Sequence, residues 1–236
     1  MSTHHFYIKS LKILNEHKIN FLLGGAHALQ FYTGIQRDTK DLDIFCLESD
    51  YPTISYILQV HGYDSQMADE RWIGKIFHQG YFIDLIFNSY NSLCPVVKGW
   101  FDDAQNKKLF GVDVKIPSAE TIFLTKLYIK HRDRYDGADL NHLILKQGHI
   151  MRWGSLLQRT AGHHQLILAQ ILEFLYVYPG QQKQIPDWVF RELMSEAEQA
   201  RATMTNLSKK ICQGPLIDRR SYDVDVLNWG FETFYD

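Results

Sequence analysis

Asp41 and Asp43 stand two residues apart in Lys40-Asp-Leu-Asp-Ile-Phe45, and a third carboxylate, Asp84, sits inside the apolar run Tyr81-Phe-Ile-Asp-Leu-Ile-Phe87. In an extended chain, residues two apart project to the same face, so Asp41 and Asp43 present their carboxylates together while Leu42 and Ile44 face a core. Like charges held so close repel unless a cation lies between them. A hard divalent ion, Mg2+ or Mn2+, suits such oxygens, because it takes one or two carboxylates together with phosphate oxygens and water. Asp84 would be costly to bury among Phe82, Ile83, Leu85 and Ile86 without a cation or donors, and an adjacent strand would let it complete the cluster.

Upstream of the acids, the apolar run Phe21-Leu-Leu ends in Gly24-Gly25. Glycines there allow a backbone to approach phosphates, and the helix expected to follow offers unpaired N–H groups at the positive end of its dipole. Arg37 and Lys40 flank the acidic pair and could neutralise phosphate charge. Lys126 and Lys130 lie four apart, the spacing of one helix face, which suits either a triphosphate clamp or a solvated surface. Each feature alone has a plainer reading: a double glycine is most often a turn, and Asp-x-Asp is most often a solvated strand end. Their conjunction in this order is what points to a site for nucleoside triphosphate and metal. His163-His164 are adjacent, without a partnering carboxylate at metal-ligand spacing. No Gly-x-Ser-x-Gly, His-Glu-x-x-His or Walker lysine accompanies the glycines, so the common hydrolase and P-loop chemistries are not supported.

The elements that must position these residues can be read from periodicity. Residues 5–18 have helical spacing, Asn20–Leu23 reads as a short strand, Ala26–Tyr32 as a helix and Leu42–Leu47 as a strand. Tyr51–Val60 is helical, and Lys75–His78 with Tyr81–Phe87 forms a hairpin across Gln79-Gly80. Val112–Ile116 alternates and stops at Pro117. Beyond it the pattern is helical, at about 119–131, 137–146, 153–160, 164–177 and 187–211. The fold class is therefore α/β (α+β): a small mixed sheet with flanking helices over residues 1–116, followed by a helical part over 117–236. The segment 212–236 is aromatic-rich and carries no readable role.

Charge narrows the partners. The 236 residues carry a formal charge of −2, and neither part is basic enough to announce nucleic acid, so such a partner would need a local groove. Three widely spaced cysteines form no metal or disulfide pattern, which fits a reducing compartment. No signal peptide or membrane-length apolar run is evident, and the expected location is cytoplasmic, with no membrane partner.

On Gly24-Gly25, Arg37-Asp-Thr-Lys-Asp-Leu-Asp43 and Asp84, the chain resembles the nucleotidyltransferase superfamily, the DNA polymerase β-like group. It looks most like the minimal bacterial branches that include AbiEii-type toxin nucleotidyltransferases. Lys126 followed by His131-Arg-Asp-Arg-Tyr-Asp-Gly-Ala-Asp139 is similar to that group's helical lysine and following acidic segment. The resemblance covers residues 21–87 well and 118–143 loosely. It implies that Asp41 and Asp43 bind the catalytic metals and that Asp84 helps activate an acceptor hydroxyl. It also implies that Gly24 and Gly25 hold phosphates and that Lys126 reaches the triphosphate. Fifteen residues separate Gly25 from Asp41, slightly more than is usual. Asp136 and Asp139 match the acidic segment only approximately, and Asp136 is equally suited to cap a helix.

Two functions of different classes follow. One is an enzyme moving a nucleoside monophosphate from an NTP to a hydroxyl on a tRNA end, a protein or a small molecule. The resemblance points first to a toxin-like modifier with an antitoxin partner protein. The other is a catalytically silent nucleotide-binding regulatory or partner-binding module on the same fold. A purely structural α/β scaffold leaves Asp84 without a task.

Overall fold

The computed structural model describes residues 3–39, 41–204 and 210–233, with the side chain of Met204 excepted. The chain divides into two compact units, the first ending at Ile122 and the second beginning at Phe123.

The first unit opens with α1 (Thr3–Glu16), whose Phe6, Tyr7, Leu11 and Leu14 are buried at helical spacing. Ser10, also buried, is accommodated because its hydroxyl donates to Phe6 O at 2.8 Å and meets Tyr63 Oη at 3.0 Å. β1 (Leu22–Leu23) leads into α2 (Gly25–Thr33), which stops at Gly34 with φ 76°, where the N–H reaches Gln30 O. β2 (Asp41–Phe45) and α3 (Tyr51–Val60) follow, then β3 (Asp64–Asp69), β4 (Ile73–His78) and β5 (Tyr81–Ile86). The short α4 (Lys98–Asp102) precedes the β6 (Gln105–Leu109) and β7 (Val112–Ile116) hairpin.

Five strands form one mixed sheet in the order β1-β2-β5-β4-β3. Only the β2–β5 pairing is parallel; the other three are antiparallel. Leu42, Ile44, Ile83 and Leu85 are completely buried, as the alternation in β2 and β5 requires. β6 and β7 pair separately, and β7 packs against β1 and α1.

The second unit is helical. α5 (Ala119–Leu127) leads into it, followed by α6 (Gly137–Gln147), α7 (Trp153–Arg159), α8 (His164–Val177), α9 (Asp187–Met204) and α10 (Pro215–Leu227). Leu143, Ile144, Leu156, Ile167, Ile171, Phe174 and Val189 form its core, and Trp153 satisfies its buried indole by donating to Gly148 O at 2.7 Å. Among the described residues, no helix is long and apolar enough to cross a membrane.

The expected mixed α/β arrangement with a helical C-terminal part is what the chain adopts, and the differences have local causes. β3 reads Asp-Ser-Gln-Met-Ala-Asp and is largely exposed at the sheet edge, so it carries no apolar alternation to detect. The helix expected over 119–131 stops at Leu127, where Ile129 N donates to Lys126 O and the chain bends into an isolated bridge between Lys130 and Tyr135. Lys126 and Lys130 therefore do not share a helix face. α10 falls in the segment without a readable role; it starts at Pro215, a residue suited to a first helical turn, and is kinked at Asp218.

Candidate active site

The site grows from the parallel pairing of β2 with β5. Its register sets Asp43 directly beside Asp84, and Asp41 lies one alternation back on the same face. One ligand oxygen from each of Asp41, Asp43 and Asp84 can be chosen so that all lie within 4.8 Å of one another. At that separation each like-charge pair costs about 3 kcal/mol at an effective dielectric near 20. These oxygens are hard donors, and their spacing and charge fit one or two divalent ions of the Mg2+ or Mn2+ type.

The acids are held by specific neighbours. Thr39 Oγ1 donates to Asp41 Oδ1 at 2.6 Å and lies 3.0 Å from Asp41 O, which fixes the entry of the chain into β2. Lys75 lies opposite Asp84 in the antiparallel β4–β5 ladder, and its Nζ is 2.5 Å from Asp84 Oδ1. The same ammonium lies 4.6 Å from the centre of the Phe82 ring.

The glycines meet the acids directly. Gly24 N donates to Asp43 O at 2.8 Å, tying the end of β1 to β2. Gly25 has φ +52°, and a Cβ built there would overlap Asp43 Oδ2. A Cβ on Gly24 would come within 2.7 Å of the Phe45 ring. The start of α2, whose Gly24 N-cap position supplies no capping side chain, thus abuts the carboxylate cluster. Its first-turn amides are the kind of donors that bind phosphate oxygens.

Behind the acids lie Tyr7 of α1 and His27 of α2, with ring centroids 6.0 Å apart. Both are more than nine-tenths buried, and among the described residues neither Tyr7 Oη nor His27 Nε2 has a hydrogen-bond partner. Burial, reinforced by the charges of Asp41, Asp43 and Asp84, pushes the Tyr7 hydroxyl up to about 12, so it stays protonated. Burial pushes His27 below the usual histidine range, against the opposing pull of Asp41.

Arg37 is exposed on the segment between α2 and β2. Lys40 lies outside the described residues. In the second unit, Lys126 is 7% exposed, and its Nζ lies 2.7 Å from Asp136 Oδ2 and 2.8 Å from Asp139 Oδ2. Lys130 is half-buried with its ammonium 5.3 Å from the Tyr135 ring centre, and burial lowers its pKa. Asp136 occupies the N-cap position of α6 without a side-chain cap bond, its carboxylate turned to Lys126 instead.

Lys75 and Tyr7 carry no role in the sequence reading, and Thr39 enters it only as part of the Arg37–Asp43 motif. Counting outward from the Gln79-Gly80 turn would have placed residue 75 opposite residue 84, so the partner of Asp84 was within reach of the hairpin reading. Tyr7 had no such signal, since it looks like any core aromatic of an amphipathic helix.

Comparison with known proteins gives the family. No curated protein matches the sequence. Among solved structures, the lincosamide antibiotic adenylyltransferase LnuA in its lincomycin-bound form is similar over 61% of this chain and 96% of its own, at 18% identity and TM-score 0.43. ANT(2")-Ia in complex with adenylyl-2"-tobramycin is similar over 75% of this chain and 99% of its own, at 12% identity and TM-score 0.44. An antigenic nucleotidyltransferase-like protein from Paracoccidioides brasiliensis is similar over 77% of this chain and 93% of its own, at 15% identity and TM-score 0.44. The family model described as a nucleotidyl transferase of unknown function (DUF2204) matches residues 3–150, which include both glycines, all three aspartates and Lys126, and the chain belongs to that nucleotidyltransferase family.

Proposed function

We propose that the protein transfers a nucleoside monophosphate from an NTP to a hydroxyl acceptor, with release of pyrophosphate, in a reaction that depends on Mg2+ or Mn2+. The observation that carries this reading is the convergence of Asp41, Asp43 and Asp84 at the uncapped start of α2. Asp41 and Asp43, with Asp84 beside them, would hold the divalent ions. When bound, such ions lower the pKa of the attacking hydroxyl and offset charge on the leaving pyrophosphate. The first-turn amides of α2, freed of side chains by Gly24 and Gly25, would orient the phosphates, and the exposed Arg37 would meet them from solvent. The acceptor oxygen forms a bond to the α-phosphorus, the bond from that phosphorus to the bridging β-phosphate oxygen breaks, and pyrophosphate leaves with that electron pair. Asp84 would receive the acceptor's proton.

The resemblance-based assignment of Lys126 to the triphosphate requires it to exchange Asp136 and Asp139 for phosphate oxygens. A toxin-like role, with an antitoxin partner, would add growth arrest on expression of the wild type and none with Asp43→Ala.

The test is incubation of the pure protein with Mg2+ or Mn2+, each α-labelled NTP in turn, and a cell extract separated into RNA, protein and small-molecule pools. Label in one pool with wild type but not Asp43→Ala establishes the reaction and names the acceptor class. Nucleotide bound in a metal-dependent way with no label in any pool would replace the enzyme by the silent regulatory module.

A further inference from the structure

We propose that Lys75 is a resident counter-ion that holds the place of a second cation at Asp84, so that the nucleotide-free protein takes one divalent ion and admits another only when substrate phosphates draw Lys75 away. The inference rests on the reading of Asp41, Asp43 and Asp84 as cation ligands. Asp84 faces Lys75 directly across the β4–β5 ladder, with 2.5 Å between Nζ and Oδ1. On its other side Asp84 is registered against Asp43 across the parallel β2–β5 pair. One carboxylate thus stands between a lysine and the remaining two acids. Three ionised carboxylates would give the cluster a charge of about −3, and a lysine on one of them leaves about −2, the charge that a single divalent ion neutralises.

The lysine is suited to be displaced. Its side chain is 33% exposed, whereas that of Asp84 is 11% exposed, so the lysine is the more accessible member of the pair. Four rotatable carbons let the head move without a backbone change, and a triphosphate offers it oxygens of higher charge than one carboxylate. The Phe82 ring beneath the ammonium keeps it close to the cluster while it is on Asp84. An acid whose cation partner comes from the chain itself does not have to wait for metal to fold. That distinguishes Asp84 from Asp41, whose named partner, Thr39, is neutral.

The experiment is Mn2+ titration of the full chain, read by the EPR signal of free ion, for wild type, Lys75→Met, Lys75→Arg and Asp43→Asn, with and without a non-hydrolysable NTP analogue. Wild type and Lys75→Arg are expected to bind one ion alone and two with the analogue. Lys75→Met is expected to bind two without the analogue, a shift in stoichiometry from one ion to two. Lys75→Gln replaces it should the methionine variant fail to fold. Equal stoichiometry and affinity in wild type and Lys75→Met, with binding still lost in Asp43→Asn, would overturn the role of Lys75 and leave the metal site standing. Binding that is weak in wild type and unchanged in Asp43→Asn would overturn the metal reading, and this inference with it.

Discussion

The carboxylate of Asp43 occupies the space that a side chain on residue 25 would fill: a Cβ on Gly25 would overlap Asp43 Oδ2. The second glycine therefore serves the acid as much as any phosphate. It brings a helix start against a carboxylate, and the left-handed backbone at φ +52° is what makes that approach possible.

Gly25→Ala is accordingly expected to act on both stability and chemistry. The left-handed backbone costs an alanine about 1–2 kcal/mol, and the methyl must also push Asp43 aside. Thermal unfolding should show a drop of several degrees, and nucleotidyl transfer should fall further than the residual folded fraction explains. A variant with full activity would mean that the close approach is dispensable.

Asp41→Asn and Asp43→Asn are each expected to lower transfer by on the order of a hundredfold or more while leaving the metal-free protein as stable as wild type, or more so, because a repelling charge is removed. Asp84→Asn should lose activity to a similar extent but gain less stability, since it also takes the partner from Lys75. Melting curves recorded in chelator separate the two patterns. A large loss of stability in all three would make the cluster a structural element.

Lys126→Met leaves Asp136 and Asp139 side by side in the second unit without their shared cation. Both carboxylates are nearly buried, so the expected cost is about 3–5 kcal/mol in urea unfolding. Adding Asp136→Asn and Asp139→Asn to that variant should restore much of the loss. An unchanged midpoint in Lys126→Met would show that this lysine does not hold the unit together.

His164 gives a pH signature in the same unit. Burial disfavours its charged form, but contacts to Leu157 O at 2.8 Å and to the Glu196 carboxylate outweigh it and raise its pKa above the usual value. A raised folded pKa means that the stabilisation is fully present below the unfolded value, near 6.5, and is lost as pH rises through the folded value. The melting temperature of wild type minus that of His164→Gln should therefore be larger at pH 5.5 than at pH 8.5. An equal difference at both would show that the His164–Glu196 contact is not ionic.

What the sequence made legible was the part of the site carried by local pattern. Asp41 and Asp43 share a face because of strand alternation, and Asp84 stood out because a carboxylate is out of place in Phe-Ile-Asp-Leu-Ile. Their mutual register was not legible: a parallel pairing of β2 with β5 depends on the whole intervening chain, and no local rule sets it. β3 escaped notice because an exposed edge strand has no apolar face to declare itself. The surroundings of Lys126 depend on the turn after Leu127, which the helical spacing of Lys126 and Lys130 concealed. Tyr7 illustrates the opposite limit, since only its position behind three acids distinguishes it from an ordinary core aromatic.

The tight turn at Gln79 and Gly80, both with positive φ, joins Lys75 and Asp84 within a single hairpin. Local hairpins of this kind close in about 1–10 μs, whereas parallel pairing between distant segments is slow because a long loop must first be ordered. On those timescales Asp84 is expected to meet its lysine before it meets Asp43. In that order the acids would come together with one of them already neutralised, and the chain would not cross a barrier set by three bare charges.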